Sequence, residues 1–318
     1  MALNRIQFQK GMSLSEFLKR YATTEQGEDA LVASRWPQGF VCPRCEGTRF
    51  AATFNGRRLW ECLNPACRYQ CSAMAGTVFQ DTKLPLSKWF LALYLLSQAK
   101  TTLSSMELMR LMGVSYPSAL LMRHKLMQVM REREALRKLD GRVEVDDAYL
   151  GGEHPGRQGR GDPAKWAFVT AVSTNARGRP VMVRFDRVHS LSAVNLSTWA
   201  KEALAPSAYV VSDAWTGLRA ALSRGGYQHE RHTTGSSKSS AQLPQFRWVN
   251  TLQGNLKTAL AGTLHAFNFK KYGQRYLAEF AWRFNRRTDL KSLVPRLLYR
   301  SVRTPPRPAD MLRLSESG

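Results

Sequence analysis

Residues 143–150, VEVDDAYL, read as a short β-strand and set Asp146 just after the run Val143-Glu144-Val145. Outward from this stretch the pattern repeats. KWAFVTAVST (165–174) and RPVMVRFDRV (179–188) read as two further strands, a helix follows near 192–205, and AYVVSDAW (208–215) reads as a fourth strand with Asp213 at its end. Three strands, a helix, a strand and then more helices predict a mixed α/β sheet rather than a sandwich. A carboxylate in an apolar strand is costly unless something pairs with it. A hard divalent cation, which takes oxygen ligands, is a natural partner for Asp146 and Asp213. Read singly, each acid fits better as an N-cap or turn aspartate, and Asp213 could cap a helix beginning at Trp215.

The chain has 318 residues, 43% of them apolar, which is enough for a sizeable core and about two domains at ~150 residues each. No apolar run approaches the ~18–20 residues of a membrane span. The longest candidate is Trp89–Leu96, and the first residues, MALNRIQFQKGMSLSEF, lack the apolar core of a secretory signal. No internal repeat is visible. These features argue against a membrane protein, a secreted disulfide scaffold and a solenoid, and they place the protein in the cytoplasm. Lys and Arg number 47 against 24 Asp and Glu, a net charge of +23. Such an excess opposes compaction unless an acidic partner offsets it. The basic residues are spread through folded-looking segments rather than gathered beside an amphipathic stripe, so nucleic acid is favoured over a membrane surface. A ribosome-associated or merely soluble basic protein is the plainer alternative.

All five cysteines lie between Cys42 and Cys71. Cys42-Pro-Arg-Cys45 is a knuckle that aims two thiolates at one metal, and Cys62 and Cys67 complete a tetrahedral set after sixteen residues. The second knuckle is wide; Cys71 in place of Cys67 would make it wider, so Cys71 is assigned as a spare thiol. Four thiolates leave no open position, so the expected zinc is structural. Its binding would supply ~10–16 kcal/mol of folding energy to a segment too short for its own core. Beyond it, LSKWFLALYLLSQ (86–98) is apolar on most faces and reads as a buried helix. Two helices then meet at Gly113-Val114-Ser115, with Pro117 in the first turn of the second, a helix-turn-helix pattern that puts Arg123, His124 and Lys125 on the second helix. The competing reading is an ordinary helical hairpin with Met106, Met109, Met112, Met122, Met127 and Met130 as core.

Taken together, CPRC, AGTVFQDTKLPLSKWF, VEVDDAYLGGE, VVSDAWTGL, RWVNTLQGNLKTALAGTLHAF and RYLAEFAWRFNRRTDL resemble bacterial insertion-sequence transposases of the family numbered fifteen-ninety-five, over about Ser13 to Leu290. That resemblance implies a ribonuclease-H-like catalytic domain preceded by a zinc ribbon and a helix-turn-helix-like module. The domains would be a helical segment at 1–40, the ribbon at 41–75, a helical connector at 82–138, the catalytic domain at 142–290 and a basic, Pro-rich tail at 291–318, whose last part, RTPPRPADMLRLSESG, is expected to be poorly ordered. It also implies DNA transposition: metal-dependent strand cleavage at inverted-repeat element ends, then joining to target DNA, by a homo-oligomer assembled on DNA at the bacterial nucleoid. Asp146 and Asp213 match the first two catalytic acids, Asn250 stands at the third, and Lys257 matches the basic residue that follows. The seven-residue spacing of Asn250 and Lys257 puts both on one helix face. This DDNK pattern supplies one carboxylate fewer to the expected Mg2+ or Mn2+.

Further DNA contacts are expected from Arg123 and Lys125, from Arg157, Arg160 and Lys165 on the Gly-rich stretch 151–165, and from Arg286 and Arg287 after the helix YLAEFAWRF. The Ser-rich stretch 233–245 is expected to order on DNA, and His229 and His232 read as loop or strand-edge residues. Two other functions compete: a zinc-ribbon DNA-binding regulator derived from an inactive transposase, and a metal-dependent nuclease without strand transfer.

Overall fold

The N-terminal helices start where the sequence offers caps. Ser13 accepts the Glu16 N–H ahead of α1 (Leu14–Tyr21), and Thr23 with Gln26 forms a capping box ahead of α2 (Thr24–Arg35). A three-stranded antiparallel sheet follows, β1 (Phe50–Phe54), β2 (Arg58–Cys62) and β3 (Gln70–Cys71), in the order β1-β2-β3. Next come α3 (Leu86–Gln98), α4 (Ser105–Met112) and α5 (Tyr116–Ala135). The computed structural model describes residues 6, 8–54, 57–151, 165–233, 243–264 and 267–314. The chain divides into two units: residues up to Val129 with Thr288–Leu312, and Met130–Arg287.

In the first unit α3 is buried, as its all-round apolar character requires, with Trp89, Phe90, Leu93 and Leu96 inside. Gly113, at φ +60°, ends α4 in the left-handed region that favours glycine, and Ser115 accepts the Ser118 N–H at the head of α5. The helix-turn-helix outline is therefore present, but its expected DNA-reading side chains are not on the surface. Arg123 is 1% exposed and donates to Thr102 Oγ1 at 2.8 Å; Lys125 is 8% exposed and donates to the Val78 carbonyl at 3.2 Å. Met122, Leu126, Met127 and Met130 are buried around the same helix and carry the two cations inward with them. This corrects the assignment of Arg123 and Lys125 to DNA.

The second unit is built on a five-stranded sheet: β4 (Arg142–Leu150), β5 (Trp166–Thr174), β6 (Pro180–Arg187), β7 (Tyr209–Asp213) and β8 (Gln228–His232). The order is β6-β5-β4-β7-β8, with β4, β5 and β6 antiparallel and β4, β7 and β8 parallel. The parallel strands require crossovers, which α6 (Ala193–Ala203) and α7 (Thr216–Arg224) help supply. Val143, Val145, Val169, Ala171 and Val210 join Leu196, Trp199, Leu218 and Leu222 of these helices in one core. Side chains alternate across a strand, so Arg142, Glu144 and Asp146 share the opposite face. That face meets α8 (Arg247–Leu264), and α9 (Phe269–Phe284) packs on β6.

The cations after α9 are structural. Arg286 is 4% exposed and pairs with Glu134 at 2.7 Å, while Arg287 donates to the carbonyls of Pro180 and Val181. Arg286 is therefore turned into the protein, which corrects that expectation for it, whereas Arg287 stays half-buried. The tail carries α10 (Leu293–Ser301), whose Leu293, Val294, Leu297 and Leu298 are buried against α2 and α3, and α11 (Ala309–Leu314). Arg157 and Arg160, and most of 233–245, lie outside the described residues; Lys165 is half-buried.

One contact sets where α8 lies on the sheet. The Glu144 carboxylate is 1% exposed; Oε2 accepts the N–H groups of Trp248 and Val249 at 2.8 and 3.0 Å, and Oε1 accepts Arg142 Nη1 at 2.9 Å. A carboxylate on the first amides of a helix satisfies donors that have no intrahelical partner and suits the helix dipole. Glu144→Ala leaves those donors and Arg142 without it. Urea unfolding is expected to show a loss of ~2–4 kcal/mol, with a smaller loss for Glu144→Gln.

Candidate functional site

Across the sheet, Asp146 pairs with Thr170 of β5 and Asp213 pairs with His232 of β8. Asp146 and Asp213 directly follow Val145 and Ser212, the last paired positions of the parallel strands β4 and β7. Thr170, Asp146, Asp213 and His232 thus form one row on the sheet face that meets α8. The parallel pairing brings together two acids 67 residues apart in the chain. Asp146 Oδ1 accepts the Asp147 N–H at 2.9 Å, and Oδ2 lies 3.4 Å from Gln253 Nε2 of α8. Gln253 also reaches Thr170 Oγ1 at 3.2 Å. Burial first, then Asp147 and Asp213, pushes the Asp146 carboxyl up to about 7 from its ordinary 3.8. Crowded carboxylates that resist ionisation are what a bound cation relieves, so the donor set fits a hard divalent ion.

Asp213 also has part of the turn role that its sequence allowed. Its Oδ1 accepts the Trp215 N–H at 3.3 Å, while α7 starts at Thr216 without a side-chain cap. On α8, Asn250, Gln253 and Lys257 lie at spacings of three and four, hence on one face. Gln253 reaches Asp146; Asn250 sits one turn before it, half-buried, and Lys257 one turn after it, exposed. The sequence points to Asn250 and Lys257 and not to Gln253; its position three residues after Asn250, on the same helix face, is the available signal. His229 and His232 lie on β8, at the sheet edge. His229 Nε2 meets Ser212 Oγ at 2.8 Å, His232 Nε2 meets Glu230 Oε1 at 2.6 Å, and Glu230 accepts the Tyr209 hydroxyl at 2.6 Å.

The sulfurs of Cys42, Cys45, Cys62 and Cys67 all lie within 4.8 Å of one another, with Cys42–Cys67 at 3.8 Å and Cys45–Cys62 at 3.5 Å. A zinc tetrahedron with Zn–S bonds of ~2.3 Å has edges of ~3.8 Å, so this spacing fits zinc. The wide second knuckle is shaped by Asn64, whose carbonyl accepts the N–H groups of Cys67 and Arg68 and whose Oδ1 accepts that of Ala66. The Gly47 N–H, then Cys67, pulls Cys45 down to about 7, which readies a thiolate for metal. Cys71 is buried on β3 opposite Trp60, outside the cluster.

A four-thiolate ribbon and a separate mixed α/β unit with paired carboxylates under a helix define a two-part protein. The chain belongs to the IS1595 family of insertion-sequence transposases: residues 22–70 match its transposase zinc-ribbon domain and residues 138–285 its ISXO2-like transposase domain, together more than half of the chain. It is also similar, at 27% identity over 177 residues, to an uncharacterized protein in transposable element ISH50 of Halobacterium salinarum. That match covers 54% of this chain and 57% of the relative. Two solved structures overlap it weakly. The Mos1 transposase paired-end complex with left transposon end has a TM-score of 0.25 at 13% identity, over 68% of this chain and 78% of that one. The Mos1 mariner paired end complex with Mn has a TM-score of 0.22 at 12% identity, over 65% and 75%. Scores this low carry no argument about the fold. Among the described residues no helix is long and apolar enough to cross a membrane.

Two measurements check the site. Cys67→Ser is expected to lose zinc, counted with a colorimetric chelator, whereas Cys71→Ser keeps one zinc per chain; the reverse result would exchange their roles. Asp146 has a raised pKa, so the metal-free fold holds its proton more tightly than the unfolded chain between pH 4 and about 7. Its contribution is therefore present at low pH and falls as pH rises through that window. Metal-free Asp146→Asn is expected to melt at least ~3 °C above wild type at pH 8 and to show no advantage at pH 4.

Proposed function

We propose that the second unit is a ribonuclease-H-like nuclease and strand-transfer domain, and that the chain cuts and joins DNA at the ends of an insertion sequence. The observation that carries this reading is the adjacency of Asp146 and Asp213 on parallel strands under α8. Three antiparallel strands continued by two parallel ones support the fold assignment.

Asp146 and Asp213 would hold Mg2+ or Mn2+, with the Asn250 amide oxygen as a neutral addition. When bound, the metal activates a water or 3′-hydroxyl and stabilises the leaving oxygen of an in-line displacement at phosphorus. Gln253 fixes the Asp146 carboxylate from one side while the Asp147 amide fixes it from the other. Orientation by such neighbours is what keeps a carboxylate in one ligating pose. Lys257, exposed on the same helix face, contributes a positive charge for a phosphate oxygen near the cut. Zinc in the ribbon is structural. The partners are element ends and target DNA, and pairing two ends calls for more than one copy of the chain, acting in the cytoplasm where that DNA lies.

The α8 side chains at the site, Asn250 and Gln253, are both amides, and this favours one second reading, a DNA-binding regulator with a silent centre. A labelled element end with purified protein separates the two. Metal-dependent nicking and joined products are expected from wild type, with losses of at least ~100-fold in Asp146→Asn and Asp213→Asn while binding persists. Cutting by either variant at the wild-type rate would overturn the site. Binding without cutting by wild type would select the regulator.

A further inference from the structure

At the other end of β4, four residues before Asp146, lies a cavity of about 570 Å³ lined by Arg142, Asn175, Gly178, Arg247 and Trp248 among others. Its rim is the β5–β6 hairpin and the first turn of α8. The hairpin is held from within: Asn175 Oδ1 accepts the N–H groups of both Arg177 and Arg179 at 3.0 Å, and Gly178 takes φ +66°. Trp248 Nε1 donates to the Gly178 carbonyl at 2.6 Å and ties the hairpin to α8.

Arg247 lines this cavity, Arg177 and Arg179 are exposed beside its lining residues Ala176 and Gly178, and among the described residues no ion pair to a carboxylate is seen for any of the three. The acid lining the cavity, Glu144, is 1% exposed and already engaged by Arg142 and two α8 amides. Arg247 moreover sits at the positive end of α8, which has no acid in its first turn. A cation there works against the helix dipole. Three like charges gathered without an acid are stabilised by an external polyanion.

We propose that this rim is a second DNA-contact surface, which grips the phosphodiester backbone of the duplex flanking the phosphate at Asp146. The surface rests on the DNA-processing reading above, and it is separate from the seven cations that sequence analysis put on DNA. Arg142 and Asp146 share one face of β4, so the rim stands ~13 Å from the acids at ~3.3 Å per residue. At ~3.4 Å per nucleotide along one strand this is about four nucleotides from the reacting phosphate. The guanidinium fork matches phosphate oxygens, and the contact positions DNA without reading sequence.

The test is the salt dependence of duplex binding without divalent metal, for wild type, Arg177→Gln/Arg179→Gln/Arg247→Gln, and the same three changed to Lys. Each lost phosphate contact lowers the slope of log K against log salt by ~0.9. The Gln variant is expected to lose about 2 to 3 from the slope, so its deficit relative to wild type is ~40-fold larger at 50 than at 200 mM salt. The Lys variant keeps the charge and the slope. If circular dichroism shows the triple variant unfolded, Arg177→Gln/Arg179→Gln, whose hairpin is held by Asn175, carries the test with a loss of about 2. A steep wild-type slope that the Gln variants reproduce would overturn the surface and leave the DNA reading intact. Wild-type binding indifferent to salt would overturn the DNA reading itself.

Discussion

The site exists because one buried carboxylate holds a helix end. Glu144 lies two residues before Asp146 on the same strand and face, and it takes the first free amides of α8. From that anchor the α-helical rise fixes everything downstream: Asn250 one residue beyond Val249, then Gln253 on Asp146, then Lys257. Sliding α8 by one turn, ~5.4 Å, would take Gln253 out of hydrogen-bonding reach of Asp146 and Thr170. Glu144 is thus a structural residue whose burial is tolerable because Arg142 and two helix amides share its charge, and a buried ion with full partners is stable where a half-paired one is not.

The parts of this arrangement that were legible in the sequence are those where burial imposes a period. β4 to β7 were read from short apolar runs, and the α4–α5 junction from Gly113 and Ser115. β8, QHERH, stays open between loop and strand edge, because an edge strand with polar residues on both faces leaves no alternation to read. Gln253 was missed because the resemblance pointed to Asn250 and Lys257 on α8 and not to the residue between them, although it reaches Asp146. The cations failed differently. Arg123, Lys125 and Arg286 are basic by letter but buried by context, since a long side chain can follow its helix into the core and satisfy its head on carbonyls, hydroxyls or an acid. Composition fixes the charge balance and says nothing of which charges reach the surface.

The ribbon shows the opposite case, a local constraint strong enough to be read from spacing alone. Its three short strands cannot exclude enough water to fold by burial, so the thiolates must do it. The choice between Cys67 and Cys71 turns on direction. Cys71 lies in β3 opposite Trp60, inside the small core, whereas Cys67 closes the turn built by Asn64 and points its sulfur at Cys42. A wider knuckle is tolerated because the Asn64 carbonyl and side chain together take the N–H groups of Ala66, Cys67 and Arg68.

The two signs of charge are also sorted by place, and this bears on how the protein would work. A chain of net charge +23 draws in a polyanion over a long range, but the phosphate it must bring to Asp146 and Asp213 is repelled by those same carboxylates. Burial, and then the neighbouring carboxylates Asp147 and Asp213, already push Asp146 up to about 7, so near neutrality the pocket stands between binding a proton and binding a cation. A divalent ion removes the repulsion and completes the ligand set in one event, whereas a proton removes only the repulsion. On the proposed reading, metal dependence would thus arise from electrostatics before any chemistry at phosphorus: without the ion, the arginines would hold the DNA while the acids held its phosphate away.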